Sequence, residues 1–188
     1  GGPMNSAVAL GQLGASVQFL GRLSEDAFGG QLREHIEAAD VGLELATWSP
    51  QATSIAVVSL DEQGVASYTF HFDDTANFGW QPAELPPLGE EDWLHIASLS
   101  CVVSPGNEIL LDWMGTLRCG VSYDINVRPT VITDPAVYWT RVEAWLEAVG
   151  RRQGILKASD VDVEFLAEAA GGSDPLEIVT GGVERDGL

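Results

Sequence analysis

Residues 1–30 read GGPMNSAVALGQLGASVQFLGRLSEDAFGG. The glycine pair at the start leaves room above the backbone for a ligand to approach closely. Shortly after it, the amide of Asn5 can both donate and accept hydrogen bonds, as the hydroxyls of a sugar-like ligand require. These features predict a ligand site at the start of the chain. Taken alone, they are explained better by a flexible terminus and a helix cap.

The apolar residues of segment 1–42 recur at helical spacing, then as a short strand, then again at helical spacing. The first predicted helix ends at Gly14, and the predicted strand covers 16–20. Asp26 is expected to cap the second helix, which ends at Gly42. This helix–strand–helix order is typical of an α/β fold.

Two β-rich runs, 53–60 and 65–72, predict a hairpin whose second strand has one covered face. Strands and helices then alternate again from Glu91. The later predicted elements are strand 93–100, a helix from about Pro105, strand 120–124, a helix capped by Asp134, strand 154–157, helix 160–170 and strand 176–180. Repeated strand–helix–strand units imply a mostly parallel sheet with helices on both faces.

The composition restricts the partners that the protein can bind. With 188 residues, of which 45% are hydrophobic, the chain can bury one sizeable core. Its formal net charge of -19 repels phosphate backbones and anionic lipid, so we expect neither a nucleic-acid nor a membrane partner. No apolar run approaches the roughly 20 residues of a membrane span. Cys101 and Cys119 lack metal spacing, which favours reduced thiols and a cytoplasmic protein.

Residues 1–30 resemble the N-terminal signature of the PfkB (ribokinase-like) family of carbohydrate kinases, in which Asn, Ala and Leu-Gly follow a glycine pair. The similarity continues in order along nearly the whole chain, and the fructokinase-like branch fits best. Its later matches are Gly21–Gly29, Tyr123–Pro129, Leu156–Ser159 and Val179–Gly182. The resemblance implies a ribokinase-like three-layer sandwich with a mostly parallel sheet. It places the α/β core at 1–42 and 76–188 and a small β flap, or lid, at about 43–75.

The resemblance also assigns sugar-binding residues. Gly1, Gly2 and Asn5 match the part of the signature that contacts sugar hydroxyls. Asn126 and Arg128 match a stretch that lines the sugar pocket, where the arginine helps to neutralise charge during phosphoryl transfer. On spacing alone, a turn with a surface salt bridge is the simpler interpretation of this second stretch, and the resemblance reverses that preference.

The predicted flap carries a clue to the substrate. Relatives that act on acidic keto-sugars have Tyr and Arg where this chain has Phe70 and Phe72. A hydrophobic flap without a cation suits a neutral sugar, since a carboxylate would need a partner there. We therefore expect both phenylalanines to contact a fructose-like substrate. Family resemblance also suggests a homodimer formed through the flap.

A second group of matching residues is expected to face ATP and magnesium. Lys157, Ser159, Thr180 and Gly182 are the expected nucleotide contacts, and Asp162 is expected to hold Mg²⁺ through water. An ordinary helix capping box explains Ser159 and Asp162 equally well, and the two roles are compatible.

The resemblance implies ATP-dependent phosphorylation of a small neutral sugar, such as fructose or a similar ketohexose, at a primary hydroxyl. Relatives also have an earlier strand with an acidic residue and a later Gly-Ala-Gly-Asp segment that carries the catalytic base. Neither occurs in residues 1–188, so we expect an incomplete copy of a kinase that is inactive by itself.

Several alternatives remain open at this stage. One is a shortened, inactive relative that binds a sugar or a partner without turnover. Another is a kinase for ribose, a nucleoside or 2-keto-3-deoxygluconate. An unrelated nicotinamide oxidoreductase is the weakest, because no Gly-x-Gly-x-x-Gly follows a predicted strand.

Overall fold

The computed structural model describes residues 1–60, 63, 64 and 66–171. Helices alternate with mostly parallel strands, which confirms the predicted α/β class. The chain divides into two compact units between Trp80 and Gln81, and Gly2 groups with the second unit. The division into a core and a flap at 43–75 stays a prediction, and the predicted strand 176–180 lies outside the described residues.

Helix α1 spans Gly2–Gln12 and ends as the sequence predicts. Gly14 has a φ of +82°, a conformation that glycine adopts without steric cost. This turn lets the Gly14 N–H donate to the Gly11 carbonyl at 2.8 Å, while the Ala15 N–H donates to the Leu10 carbonyl at 3.1 Å. Gly14 therefore ends the helix and satisfies two of its last carbonyl groups.

The parallel strands of the first unit are short. Strand β1 (Arg22–Ser24) pairs with β2 (Thr47–Ser49), whereas the strand predicted at 16–20 is reduced to one bridge between Gln18 and Gly42. The prediction was therefore wrong about where the strand lies, because the paired strand of this segment is β1, whose partner is β2. All three residues of β1 are buried.

Helix α2 (Ala27–Glu37) connects these two strands in the chain and begins where the sequence predicts, but it ends at Glu37 and not at Gly42. The Asp26 carboxylate accepts hydrogen bonds from the Gly29 N–H at 2.8 Å and the Thr53 N–H at 2.8 Å. A third bond, from the Thr53 hydroxyl, is the largest of the hydrogen-bonding causes that hold the pKa of Asp26 well below its ordinary value. Asp26 therefore caps α2 and also ties it to the start of the next segment.

A hairpin follows, formed by β3 (Ile55–Leu60) and β4 (Ala66–His71) in antiparallel register. This confirms the predicted hairpin. The predicted covered face of the second strand is covered only towards its end: Phe70 and Phe72 are partly buried, whereas Tyr68 is 54% exposed. Every residue of β3 is exposed.

The second unit contains a three-stranded parallel sheet. Its strands are β5 (Trp93–Ala97), β6 (Gly120–Asp124) and β7 (Ile155–Lys157), in that spatial order. Strand β5 is shorter than predicted, because Ser98 has a φ of +57° and cannot continue an extended strand.

Three helices accompany this sheet, namely α3 (Gly106–Thr116), α4 (Pro135–Gly150) and α5 (Asp160–Ala170). Asp134 caps α4 as predicted, accepting from the Ala136 N–H at 2.9 Å. The predicted apolar face of α4 is at most 1% exposed and forms the centre of the core; its residues are Tyr138, Val142, Trp145, Leu146 and Val149. Within the described ranges, no helix has the length and apolarity needed to cross a membrane.

The formal net charge of -19 predicts that added salt stabilises the fold, because it screens self-repulsion between carboxylates. Raising NaCl from about 0.05 M to about 0.5 M should increase Tm by roughly 3 °C, equivalent to about 1 kcal/mol. Differential scanning calorimetry measures this shift. A Tm that stays constant or falls would show that ion pairs contribute more than repulsion.

Candidate functional site

Residues 125–128, here called the β6 loop, follow directly after β6 and are fixed to neighbouring elements. The Ile125 N–H donates to the carbonyl of Lys157 at the end of β7, at 3.0 Å. The Val127 N–H donates to Oδ1 of Asp162 in α5, at 2.7 Å. The β6 loop is thereby joined to β7, which ends at the predicted nucleotide contact Lys157, and to α5, which Ser159 caps.

Helix α4 also holds the β6 loop. The Arg128 N–H donates to the hydroxyl oxygen of Tyr138 at 2.9 Å. The Tyr138 side chain is fully buried, and its ring packs edge-on against Phe165 with centroids 5.4 Å apart. Burial raises the pKa of Tyr138 to about 12, so the hydroxyl is neutral at physiological pH and can accept the bond.

Asn126 has an unusual backbone conformation. Its φ of +44° lies in the left-handed region, which asparagine tolerates better than most residues. The buried Ser98 hydroxyl donates to the Asn126 carbonyl at 3.0 Å, and Ser98 itself also has a positive φ. Non-glycine residues persist in this conformation only where their surroundings hold them.

Among the residues that the structure describes, the half-buried guanidinium of Arg128 bonds only within its own loop. Its Nη1 donates to the carbonyls of Val127 at 2.7 Å and Asn126 at 3.4 Å. Among the described residues, no carboxylate forms an ion pair with Arg128, so the surface salt bridge of the simpler interpretation is not observed. Within the described ranges, most of its five N–H donors have no protein acceptor, and such donors suit an anionic or hydroxylated ligand.

Lys157 lies at the end of β7, beside the β6 loop. Its Nζ is 3.0 Å from Oδ1 of Asp124, the residue opposite it in β6. The lysine side chain is 63% exposed, and Lys157 is the only lysine of the sequence. An accessible cation thus stands at the carboxyl end of two neighbouring parallel strands.

Ser159 and Asp162 form the capping box that the sequence offered as one interpretation. Oδ2 of Asp162 accepts from the Ser159 N–H at 2.8 Å and from its hydroxyl at 2.7 Å, while Oδ1 accepts from Val127. Asp162 is only 6% exposed. Both oxygens are therefore engaged, and the carboxylate does not fit a direct magnesium ligand. Within the described ranges, no three acidic, histidine or cysteine side chains cluster as a metal site.

The predicted sugar contacts at the start of the chain occupy the first turn of α1. Gly1 is its N-cap, so Asn5 is not the cap; the exposed Asn5 lies inside the helix and donates its N–H to the Gly1 carbonyl at 3.0 Å. A Cβ added to Gly2 would lie 3.4 Å from Nδ2 of Asn126, an ordinary van der Waals distance, so Gly2 lies beside that amide.

The two predicted flap contacts lie at the end of β4. Phe70 stacks on Tyr68 with ring centroids 6.2 Å apart, and Phe72 packs edge-on against Phe78 at 5.6 Å. Both are partly buried. The predicted nucleotide contacts Thr180 and Gly182 lie outside the described residues.

Sequence reasoning missed two residues that hold the β6 loop. Tyr138 was predicted only as part of the apolar face of α4, and Ser98 as a strand residue. A polar hydroxyl within a buried helix face is the one signal that singles out Tyr138, since such a group needs a partner.

Comparison with known proteins identifies what the chain is similar to. The profile of the pfkB family carbohydrate kinases matches residues 1–175. A fructokinase of Klebsiella pneumoniae is 32% identical over 139 residues, covering 72% of this chain and 45% of the relative. A fructokinase of Rhizobium leguminosarum bv. trifolii is 32% identical over 169 residues, covering 88% and 50%. The chain thus spans about half the length of the curated relatives that it matches.

A solved structure agrees with these sequences. The crystal structure of a fructokinase from Vibrio cholerae O395, with fructose, ADP and a calcium ion bound, superposes with a TM-score of 0.79. The two sequences are 25% identical, and the match covers 97% of this chain and 58% of that one.

Proposed function

The chain belongs to the pfkB family of carbohydrate kinases, and on that basis we propose that the whole protein phosphorylates a small neutral sugar with ATP. Its fold is the ribokinase-like α/β fold that the sequence motifs imply. The proposed substrate is fructose or a similar ketohexose, and the acceptor is a primary hydroxyl. The fructokinases that the chain resembles support this choice.

One observation within the second unit carries the proposal. The Asn126 amide and the Arg128 guanidinium follow β6, and Lys157 ends the adjacent parallel strand β7. Ligands of open α/β sheets bind beyond the carboxyl ends of the strands. An arrangement of amide, guanidinium and ammonium groups there suits a sugar beside a phosphate.

The proposed roles follow from these groups. Asn126 binds sugar hydroxyls, and Arg128 binds the sugar and stabilises the charge of the transferring phosphoryl group. Gly1, Gly2 and Asn5 remain proposed sugar contacts because they carry the family signature.

Lys157, Ser159, Thr180 and Gly182 are the proposed contacts of ATP. The nucleotide is proposed to enter as its magnesium complex, with the metal held mainly by the phosphates. Asp162 is proposed to contact the metal only through water, since its oxygens already accept bonds from Val127 and Ser159.

The hairpin is proposed to close over the sugar through Phe70 and Phe72 and to pair with a second copy of the chain. Its exposed apolar side chains support the second role; they are Ile55, Val57, Val58, Leu60 and Tyr68. Light scattering of the purified protein would test for the dimer.

Two buried free thiols suit the reducing cytoplasm, which is the proposed location.

Sugar-dependent ADP release tests the proposed reaction. The assay should use the protein encoded by the complete reading frame, with fructose, ribose, adenosine and 2-keto-3-deoxygluconate as separate acceptors. We expect release with fructose. Release with adenosine alone would overturn the sugar assignment, and an inactive product of a frame that lacks Gly-Ala-Gly-Asp would favour a binding protein.

A further inference from the structure

Side chains from distant parts of the second unit hold the backbone of the β6 loop. Tyr138 accepts the Arg128 N–H, and Asp162 accepts the Val127 N–H. Tyr138 is fully buried and Asp162 is 6% exposed, so water does not readily substitute for either acceptor. Val127 and Arg128 are the two residues that follow Asn126. The backbone N–H of each thus has a buried acceptor.

We propose that Tyr138 and Asp162 are positioning residues, which fix the β6 loop so that the side chains of Asn126 and Arg128 face the sugar. The inference rests on the proposed kinase function. Asn126 has a φ of +44°, which needs support from its surroundings. The bonds to Val127 and Arg128 supply that support immediately after it in the chain.

Asp162 has a second effect through its other oxygen. Oδ2 caps α5 by accepting from Ser159, while Oδ1 holds Val127. One buried carboxylate thereby joins the β6 loop to the helix that begins after Lys157. Asp162 therefore links the loop that carries Asn126 and Arg128 to Ser159, one of the proposed nucleotide contacts.

Tyr138→Phe tests the first contact with little change in shape, since the ring can still pack against Phe165. Amide hydrogen exchange of Arg128, measured by NMR, should accelerate about 5-fold, as expected for one lost hydrogen bond. In the complete protein, kcat/KM for fructose should fall about 10-fold, because a displaced substrate-binding group slows the reaction. KM for ATP should keep its wild-type value. Wild-type exchange and wild-type kcat/KM in the variant would overturn the proposal for Tyr138.

Asp162→Asn and Asp162→Ala separate positioning from metal binding. The asparagine oxygen can still accept from Val127, and its NH₂ can donate to the Ser159 hydroxyl oxygen, while the Ser159 N–H loses its acceptor. We expect Asp162→Asn to retain most of the kcat/KM and Asp162→Ala to lose about 10-fold or more. Equal losses in both variants would mean that the negative charge itself is needed, which would overturn positioning as the role of Asp162.

Asp26→Ala is the matched control. Asp26 also caps a helix and accepts a distant backbone N–H, that of Thr53, but in the first unit. This variant should lower Tm without changing the amide exchange of Val127 or Arg128. If their exchange accelerated in Asp26→Ala as well, the faster exchange in the Tyr138 and Asp162 variants would be due to general destabilisation. A wild-type protein without sugar-dependent ADP release would refute the proposed function, whereas the exchange measurements would still decide whether the two side chains hold the loop.

Discussion

Arg128→Met is expected to lower kcat/KM for the sugar by about 10²- to 10³-fold, the usual cost of removing one donor that stabilises transition-state charge. The free energy of unfolding should change little, because the bonds that the guanidinium makes to described residues are all to carbonyls of its own loop. Arg128→Lys should recover part of the loss, since lysine retains the charge but not the planar fork. Steady-state kinetics of the complete protein and urea unfolding measure the two quantities.

Arg152→Met provides the matched control for this experiment. Arg152 is also half-buried and donates to a backbone carbonyl, that of Met114 at 2.6 Å, but lies outside the β6 loop. Its replacement removes the same charge and should leave kcat/KM unchanged. If both variants lost activity equally, net charge rather than a contact of Arg128 would be responsible.

Gly29→Ala is expected to be the most destabilising of the substitutions considered, by about 3 kcal/mol. An added Cβ would lie 1.8 Å from the Ser24 carbonyl oxygen, which belongs to the backbone and cannot turn aside. The first turn of α2 would have to move away from β1. Chemical unfolding of the isolated chain, followed by circular dichroism, measures the loss.

The neighbouring Gly30 supplies the control, because nothing lies within 4 Å of a Cβ added there. Gly30→Ala should stabilise the same helix by about 0.5–1 kcal/mol, since alanine favours the helix over glycine. Similar unfolding free energies for both variants would show that α2 does not approach β1 as closely as described. The contrast would explain physically why the motif Gly21–Gly29 ends in glycine.

Local signals in the sequence predicted much of the secondary structure. Helix α5 spans the predicted 160–170, and Asp134 caps α4. Both depend on residues close in the chain, namely caps and helical spacing. The strand predicted at 16–20 failed because strand pairing depends on a partner some 25 residues away, and the chain pairs β1 with β2 instead.

The candidate site also contains features that the sequence predicted and contacts that it could not predict. Family motifs identified Asn126 and Arg128, and local spacing identified the capping box of Asp162. The contact of Asp162 with Val127 joins residues 35 positions apart, so it could not be read from either motif. Tyr138 fits the apolar face of α4, and its hydroxyl shows that it needs a partner but not that this partner is Arg128.

A crystal structure of the complete protein with fructose and ADP would test the central claim, that the β6 loop binds the sugar. We predict fructose hydroxyls within hydrogen-bond distance of the Asn126 amide or the Arg128 guanidinium, with φ of Asn126 still positive. Fructose bound elsewhere, with both side chains facing solvent, would contradict the account.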